Sequence, residues 1–213
     1  MRCNPEIMRL YAVTDRTWVG RQTLMEQVEA ALKGGATCVQ LREKELDEDA
    51  FLEEAMKMKR LCAKYGVPFI VNDKVSIAIG CGADGIHVGQ GDMEAERVRG
   101  LVGEGMMVGV SVQTVEQAKA AQAAGADYLG VGAVFQTTTK PDAHEVTRQT
   151  LKDICEAVSI PVTAIGGINK INMAQLMGTG IDGVALVSAV FAAEDIEKEC
   201  RELRAISEKM VQG

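Results

Sequence analysis

Eight short apolar segments alternate with helix-like segments along the sequence, and this alternation predicts an α/β fold with a parallel sheet. Eight such units within 213 residues predict its closed form, a (β/α)8 or TIM barrel near the small end of the usual size range. No linker or low-complexity segment interrupts the pattern. We therefore interpret residues 1–213 as a single TIM-barrel domain.

The predicted strands are short runs of β-branched and other apolar residues, which suit a buried parallel sheet. They are Leu10–Thr14, Thr37–Leu41, Phe69–Asn72, Gly85–Val88, Met107–Val110, Tyr128–Gly132, Val162–Ile165 and Val184–Val187. The predicted helices carry apolar residues that recur with the period of a helix. They are Thr23–Lys33, Glu48–Lys64, Thr114–Ala124, Asn169–Met177 and Ala193–Met210, with a weaker pattern at Asp92–Leu101 and Thr147–Val158.

A short repeat precedes every second predicted strand. It reads Gly35-Ala36-Thr37, Gly82-Ala83-Asp84, Gly125-Ala126-Asp127 and Gly180-Ile181-Asp182. Its glycine suits the left-handed conformation that ends many helices, so we assign the repeat to the stability of the barrel's N-terminal face rather than to catalysis. An open doubly wound sheet is the alternative fold. The turn after the first strand, Asp15-Arg16-Thr17-Trp18, lacks the GxGxxG pattern typical of that alternative.

Composition narrows the class of protein. The formal net charge of −7 argues against a general nucleic-acid binder, which normally carries a basic surface. The apolar runs are too short for a transmembrane helix, and the N-terminus lacks the apolar core of a signal peptide. Six scattered cysteines without a CxxC pair favour reduced thiols over a zinc site. We therefore expect a cytoplasmic protein without nucleic-acid or membrane partners.

Polar residues collect where the predicted strands end, and in a barrel of this kind the active site lies at those C-terminal ends. Gln40, Arg42 and Lys44 alternate along the end of the second strand, and they would share one face if the strand extends that far. Two cations and an amide that face a cleft need an anionic partner, because charges are rarely buried alone. The pattern therefore predicts an anionic ligand.

A metal site is predicted from two aspartates at neighbouring strand ends. Asp73 and Asp92 offer the hard oxygen ligands of Mg²⁺, which is typically held by one or two carboxylates and by substrate phosphates. Arg42, Lys44 and Lys140 would neutralise the remaining phosphate oxygens. Together these residues indicate a diphosphate–Mg²⁺ site. The simpler alternative is that each aspartate caps the helix that follows it.

Further polar groups follow the later strands. Gly166-Gly167-Ile168 and Val187-Ser188 lie where barrels often bind a phosphate on backbone N–H groups, with a plain tight turn as the alternative. The loop over 133–146 is long enough to be a lid, or else a solvated polar loop. His87 is interpreted as a hydrogen-bonded wall residue and His144 as a surface residue, since neither has the partners of a nucleophilic triad.

These motifs, in this order, resemble the thiamin phosphate synthase (thiamin-phosphate diphosphorylase) family over nearly the whole chain. The matching segments are Leu10-Tyr11-Ala12-Val13-Thr14-Asp15, Gln40-Leu41-Arg42-Glu43-Lys44, Val71-Asn72-Asp73, Asp84-Gly85-Ile86-His87-Val88-Gly89-Gln90 with Asp92, Tyr128-Leu129-Gly130-Val131-Gly132, Thr137-Thr138-Thr139-Lys140, Ala164-Ile165-Gly166-Gly167-Ile168 and Val187-Ser188-Ala189. Gly91 stands where the family often has an acidic residue.

The resemblance implies a (β/α)8 barrel and a transferase of thiamine biosynthesis. Such an enzyme joins hydroxymethylpyrimidine diphosphate to hydroxyethylthiazole phosphate and releases pyrophosphate, with Mg²⁺ as its cofactor. The implied reaction is a dissociative displacement, in which the diphosphate departs before the thiazole nitrogen attacks the methylene carbon. It needs charge stabilisation on the leaving group and exclusion of water, and it needs no protein nucleophile.

The resemblance also implies roles for individual residues. The residues expected to contact the pyrimidine diphosphate are Gln40, Arg42, Lys44, Asn72 and Ser111. Those expected to hold phosphate groups from the loop after strand 6 are Thr137, Thr139 and Lys140, and those expected to bind the thiazole phosphate are Gly167, Val187 and Ser188. The expected metal ligands are Asp73 and Asp92, and the expected catalytic residues are Arg42, Lys44, Lys140 and Ser111.

Two other functions stay open on the sequence alone. A thiazole tautomerase-like relative would need general acid–base groups beside one phosphate, and it would have no use for a metal. A catalytically silent, phosphate-binding regulatory protein would keep an inherited pocket. The presence of all the predicted charged site residues argues against both functions. These residues are Arg42, Lys44, Asp73, Asp92 and Lys140.

The sequence does not determine the oligomeric state, and a homo-oligomer is one of the open possibilities.

Overall fold

The computed structural model describes residues 3–20, 22–137 and 145–212. Eight parallel strands follow one another around a closed barrel in sequence order, and the last strand pairs with the first. This confirms the predicted TIM barrel, while the single domain over 1–213 stays a prediction. The strands are β1 Leu10–Val13, β2 Cys38–Leu41, β3 Phe69–Asn72, β4 Gly85–Val88, β5 Met107–Val112, β6 Tyr128–Val131, β7 Val162–Ile165 and β8 Gly183–Leu186.

Helices pack against the outward faces of the strands. They are α1 Leu24–Lys33, α2 Glu48–Lys64, α3 Val75–Cys81, α4 Ala95–Val102, α5 Val115–Ala123, α6 Arg148–Ala157, α7 Ser188–Phe191 and α8 Ile196–Met210. Single 3₁₀ turns lie at Pro5–Met8, Arg16–Trp18, Gly103–Gly105 and Met173–Leu176. Of the helices that the structure describes, none combines the length and the apolar character needed to cross a bilayer.

Three helical segments differ from the sequence prediction. In place of the predicted helix Asn169–Met177 the chain has only the 3₁₀ turn Met173–Leu176. The Asn169 carboxamide oxygen accepts hydrogen bonds from the backbone N–H groups of Ile171 and Asn172, at 2.9 and 3.3 Å, which favours a turn over the start of a helix. The sequence does not predict α3, whose alternating β-branched residues are typical of a strand, or α7, which is a single turn.

The glycine repeat builds the N-terminal face of the barrel, as predicted. All four glycines have positive φ, between 63° and 96°. The third residue of each repeat makes two hydrogen bonds to a single residue of the preceding strand. The Asp84 carboxylate accepts from the Phe69 N–H, and the Asp84 N–H donates to the Phe69 carbonyl. The same pair of bonds joins Thr37 to Leu10, Asp127 to Val108 and Asp182 to Val162. These aspartates are therefore structural.

Side chains alternate along each strand between two apolar cores. Outward-facing residues such as Leu10 and Leu129 join the core shared with the helices. Inward-facing residues such as Tyr11, Ile70 and Tyr128 form a second core that fills the barrel. The packed interior leaves the C-terminal ends of the strands as the place where polar side chains can meet a ligand.

Candidate functional site

A cavity of about 500 Å³ lies at the C-terminal ends of the strands. Strand ends and the loops after them line it, so the barrel gathers residues that are distant in the sequence. The predicted site residues that line this cavity are Gln40, Arg42, Asn72, Ser111, Thr137, Gly167, Val187 and Ser188. Lys44, Asp73 and Asp92 lie beside it, next to the cavity-lining residues Asn72 and Gly89.

Arg42 lies on the loop after β2, because the strand ends at Leu41. Its backbone N–H donates to the Thr14 hydroxyl at 3.0 Å, and its guanidinium Nη1 donates to Oδ2 of Asp15 at 3.0 Å. The end of β1 therefore holds this cation at the cavity wall. Lys44 does not line the cavity and instead pairs with Asp73, so of the three residues predicted to share one face only Gln40 and Arg42 line the cavity.

Glu43 organises the loop between these cations, a role that the sequence does not predict. One oxygen of its carboxylate accepts from the backbone N–H groups of Lys44, Glu45 and Leu46, at 2.7, 2.6 and 3.2 Å. The other oxygen accepts from the Arg16 guanidinium. Burial raises the pKa of Glu43, but the bonds from Glu45 and Arg16 outweigh it, so the pKa lies below its usual value.

Replacing Glu43 by glutamine is expected to lower the free energy of unfolding by about 2–3 kcal/mol at neutral pH, because an N–H₂ group would then face the Arg16 guanidinium. The pKa of Glu43 in the folded protein lies below the unfolded value of about 4.3, so the carboxylate contributes its full stabilisation of the fold above about pH 4.3. Its contribution is lost as the pH falls through the folded pKa. Urea unfolding at neutral pH and at about pH 4 should therefore show a smaller deficit at the acidic pH.

The exposed neighbour Glu45 provides the control for this prediction. Glu45→Gln keeps the backbone N–H that binds Glu43 and removes only a surface charge, so its unfolding free energy should match that of the parent at both pH values. A deficit for Glu43→Gln that is equal at both pH values would contradict the assignment of the stability to the ionised carboxylate.

Lys44, Asp73 and Asp92 form a charged cluster beside the cavity. Nζ of Lys44 lies 3.0 Å from Oδ2 of Asp73, and the Asp73 carboxyl is within hydrogen-bonding reach of the Asp92 carboxyl. Burial raises the pKa of Asp92 above its usual value, and the Asp73 carboxyl raises it further. Two carboxylates this close repel each other when both are ionised. A cation between them would therefore be strongly favoured.

Neither aspartate caps a helix, which argues against the simpler alternative. The N-cap residues of α3 and α4 are Lys74 and Glu94, and neither makes a side-chain capping bond. Asp92 instead accepts from the backbone N–H of Gly89 at 2.8 Å. Asp73 has a φ of 64°, a conformation that no other described non-glycine residue adopts. Such conformations cost roughly 1–3 kcal/mol and cluster at functional sites.

The predicted second anion site lies at the ends of β7 and β8, across the barrel mouth from β3 and β4. Gly167 has a φ of 64°, and a Cβ there would lie 2.3 Å from the carbonyl oxygen of Gln136. A glycine is therefore required here because the loops after β6 and β7 touch, whether or not its backbone also approaches a ligand. Val187 and Ser188 line the same side of the cavity, at the start of the single-turn α7.

A chain of five hydrogen-bonded polar side chains crosses the barrel, and four of the five line the cavity. Gln40 Nε2 donates to Tyr11 Oη at 2.6 Å, and Tyr11 Oη lies 2.8 Å from Tyr128 Oη. Tyr128 Oη lies 3.1 Å from Nδ1 of His87, and Nε2 of His87 lies 2.8 Å from Oγ of Ser111. His87 is thus hydrogen-bonded in the wall, as predicted, but the sequence analysis did not expect its serine partner. The two tyrosines are partners that the sequence analysis missed.

The loop after β6 is described only at its ends. Thr137 lines the cavity, and the Val146 N–H donates to the Ala133 carbonyl at 2.7 Å, which joins the two ends. Thr139 and Lys140, predicted to hold phosphate, and His144, predicted to be at the surface, lie outside the described residues. Their predicted roles stay predictions.

The cations around this cavity suit the binding of anionic groups. Cys38 projects into the barrel interior, but burial raises the pKa of its thiol well above the usual value, so it stays protonated and unreactive. All six cysteines are free thiols. Within the described residues no group of three or more His, Cys, Asp or Glu side chains could hold a metal. A metal at Asp73 and Asp92 would therefore also need oxygens from its ligand.

Comparison with known proteins points to one family. The family model described as thiamine monophosphate synthase matches residues 10–190. The chain is 48% identical over 201 residues to the thiamine-phosphate synthase of Clostridium botulinum, which covers 94% of each protein. It is 49% identical over 197 residues to that of Ruminiclostridium cellulolyticum, which covers 92% of this chain and 94% of the relative. The solved thiamine phosphate pyrophosphorylase from Pyrococcus furiosus matches with a TM-score of 0.90 at 39% identity, over 97% of this chain and 98% of that one.

Proposed function

This chain belongs to the thiamine monophosphate synthase family, and on that premise we propose which of its residues carry out the reaction. It is a transferase that condenses hydroxymethylpyrimidine diphosphate with hydroxyethylthiazole phosphate to form thiamin phosphate and pyrophosphate. In our proposal Arg42 and Lys44 bind the leaving diphosphate, and Asp73 and Asp92 hold Mg²⁺ beside it. Gln40, Asn72 and Ser111 contact the pyrimidine diphosphate from the cavity wall.

One observation carries this proposal: the segment after β2 and the aspartates after β3 and β4 meet at one edge of the cavity. Lys44 reaches Asp73 at 3.0 Å, and Asp73 in turn contacts Asp92. Arg42 lines the same cavity. A diphosphate bound there would find two cations, and a divalent metal would find two carboxylates, within one small volume.

The donor set fits Mg²⁺. Both groups are hard carboxylate oxygens, and the raised pKa of Asp92 reports the repulsion and desolvation that a bound cation would relieve. When bound, the metal would neutralise charge that develops on the diphosphate oxygens. Asp73 and Asp92 would hold it, with the remaining ligands supplied by the diphosphate and by water.

The protein's own groups then act on a displacement at the methylene carbon. Arg42 and Lys44 stabilise the diphosphate as its bond to that carbon breaks and it leaves with the bonding electron pair. The thiazole nitrogen donates its lone pair to the same carbon and forms the new C–N bond. The wall residues hold the two rings in line, and no protein nucleophile takes part.

The thiazole phosphate is assigned to the opposite side of the cavity. Gly167, Val187 and Ser188 line it there, where backbone N–H groups can approach an anion closely. Thr137, Thr139 and Lys140 would add phosphate contacts from the loop after β6. We also propose that the enzyme acts in the cytoplasm, where its six free thiols would stay reduced.

The proposal is tested by assaying purified protein with both substrates, with and without Mg²⁺, for thiamin phosphate. Formation of the product is expected to require the metal. Lys44→Ala is expected to lower kcat/KM for the pyrimidine diphosphate about a hundredfold, because losing one donor to a developing anion costs about 2.7 kcal/mol. Steady-state kinetics of the parent and the variant measure both effects.

Lys57 on α2 is the matched control, since its side chain is 52% exposed against 57% for Lys44 and it also pairs with a carboxylate. Lys57→Ala should keep the parent's kinetics. Full activity after removal of divalent metal would refute the metal assignment. A loss of only a few-fold for Lys44→Ala would refute the assignment of Lys44 to the diphosphate.

A further inference from the structure

The hydrogen-bond chain inside the barrel links two cavity residues on opposite sides. Gln40 on β2 and Ser111 on β5 both line the cavity, and the chain joins them through Tyr11, Tyr128 and His87. The three residues between them are buried: Tyr11 is 1%, Tyr128 0% and His87 8% exposed. Tyr11 and His87 also line the cavity, whereas Tyr128 does not. Because each hydroxyl has one hydrogen and each ring nitrogen either donates or accepts, the direction of each bond must agree with that of the next.

The amide at one end sets that direction. Gln40 Nε2 can only donate, so Tyr11 Oη accepts from it and has its own hydrogen to give to Tyr128 Oη. Tyr128 in turn donates to Nδ1 of His87, which must then be unprotonated. A neutral imidazole with a bare Nδ1 carries its hydrogen on Nε2, so His87 donates to Oγ of Ser111.

Two strand glycines make room for this chain, which shows that the interior is shaped around it. A Cβ at Gly109 would lie 2.1 Å from Cζ of Tyr128, and a Cβ at Gly130 would lie 3.1 Å from Cε1 of His87. The strands β5 and β6 thus have a glycine, with no side chain, where the two rings cross the barrel. The rings are held by packing as well as by their hydrogen bonds.

We propose that Tyr11, Tyr128 and His87 are positioning residues that fix which way Gln40 and Ser111 present their polar atoms to the substrate. With one hydrogen of Gln40 Nε2 bonded to Tyr11, the acceptor atom Oε1 can take a hydrogen bond from a donor on the pyrimidine, and the second Nε2 hydrogen stays available. With Ser111 Oγ accepting from His87, its hydroxyl hydrogen points to an anionic oxygen of the diphosphate. This assignment rests on the proposed function of Gln40 and Ser111.

The reverse polarity is the competing arrangement. If the Gln40 amide were turned, Tyr11 would donate to it, His87 would carry its hydrogen on Nδ1, and Ser111 would donate to His87. Ser111 would then offer the diphosphate no hydrogen. The two arrangements differ in which nitrogen of one imidazole bears the proton, and that can be measured directly.

The experiment uses ligand-free protein with ¹⁵N-labelled histidine. The chain has two histidines, His87 and His144, so the spectrum contains two imidazole rings, and His144→Gln assigns them. We expect His87 to show an unprotonated Nδ1 and a protonated Nε2 at neutral pH. A protonated Nδ1 in His87 would overturn the proposal. Because no substrate is present, this result is independent of whether the proposed function holds.

Tyr128→Phe then tests whether the chain positions the ends. It removes one hydroxyl without changing the ring, so His87 should lose its single tautomer, and kcat should fall roughly tenfold to a hundredfold with the protein still folded. Tyr65→Phe is the matched control, since that hydroxyl donates to Glu29 on the outer surface, and it should leave both the His87 signals and kcat unchanged. An unchanged His87 spectrum and kcat in folded Tyr128→Phe would overturn the positioning role.

Discussion

Replacing Asp73 and Asp92 together by asparagine is expected to lower kcat/KM about a thousandfold at saturating Mg²⁺, which corresponds to about 4 kcal/mol of transition-state stabilisation. Asparagine keeps the size of each side chain and one acceptor oxygen, but it removes the negative charge that makes the pair a site for a divalent cation. Asp73 pairs with Lys44 and lies beside the Asp92 carboxyl, so both carboxyls contribute to the same local charge.

Two measurements check this prediction. Steady-state kinetics across a Mg²⁺ titration should show a strongly raised metal requirement, and calorimetric titration of Mg²⁺ in the presence of pyrophosphate should show weaker binding without relying on turnover. Asp195→Asn is the control, because that aspartate caps α8 through the Lys198 N–H and asparagine caps equally well. If the double variant kept its metal requirement and its activity within tenfold of the parent, Asp73 and Asp92 would not be the metal ligands.

Gly109→Ala is expected to have the largest effect on stability, lowering the free energy of unfolding by about 4 kcal/mol. The added Cβ would lie 2.1 Å from Cζ and 2.3 Å from Oη of Tyr128. That ring is fully buried, and its hydroxyl bonds to Tyr11 and His87, so it cannot move without breaking those bonds. The cost therefore combines overpacking with the loss of buried hydrogen bonds.

Urea unfolding at neutral pH measures this effect. Gly100→Ala is the matched control, since Gly100 lies within α4 and a Cβ there would meet no atom within 4 Å. Alanine should stabilise that helix by about 0.5–1 kcal/mol. A loss below about 1 kcal/mol for Gly109→Ala would mean that the interior adapts to the extra methyl group, and that the polar chain is less rigid than the structure indicates.

The succession of strands could be predicted because each buried strand is a short apolar run between turn residues, and four strands are preceded by the same glycine repeat. The positions of the repeat's aspartates were predicted, but their exact partners were not, since Asp84 binds Phe69 in the preceding strand through sheet geometry. The helix α7 was not predicted, because a single helical turn has too few residues to show the hydrophobic period of a helix.

Part of the candidate site could also be predicted. Polar residues at strand ends share one mouth in any such barrel, so Gln40, Arg42 and Ser111 were expected near each other, and they line one cavity. The hydrogen bonds that hold these residues in place were not predicted. Glu43 and Asp15 hold the loop that carries Arg42 and Lys44 by hydrogen bonds that depend on the path of the backbone, which no local pattern encodes.

The sequence by itself determined the fold class, the order of the strands and the identity of the polar groups at their ends, because periodicity, turn residues and motifs are local properties. Only the tertiary structure decided which groups touch. It separated Lys44 from the face of Gln40 and Arg42, placed Lys44 against Asp73, and joined Gln40 to Ser111 through buried rings. Those contacts depend on strand register and barrel closure, which bring together residues many positions apart.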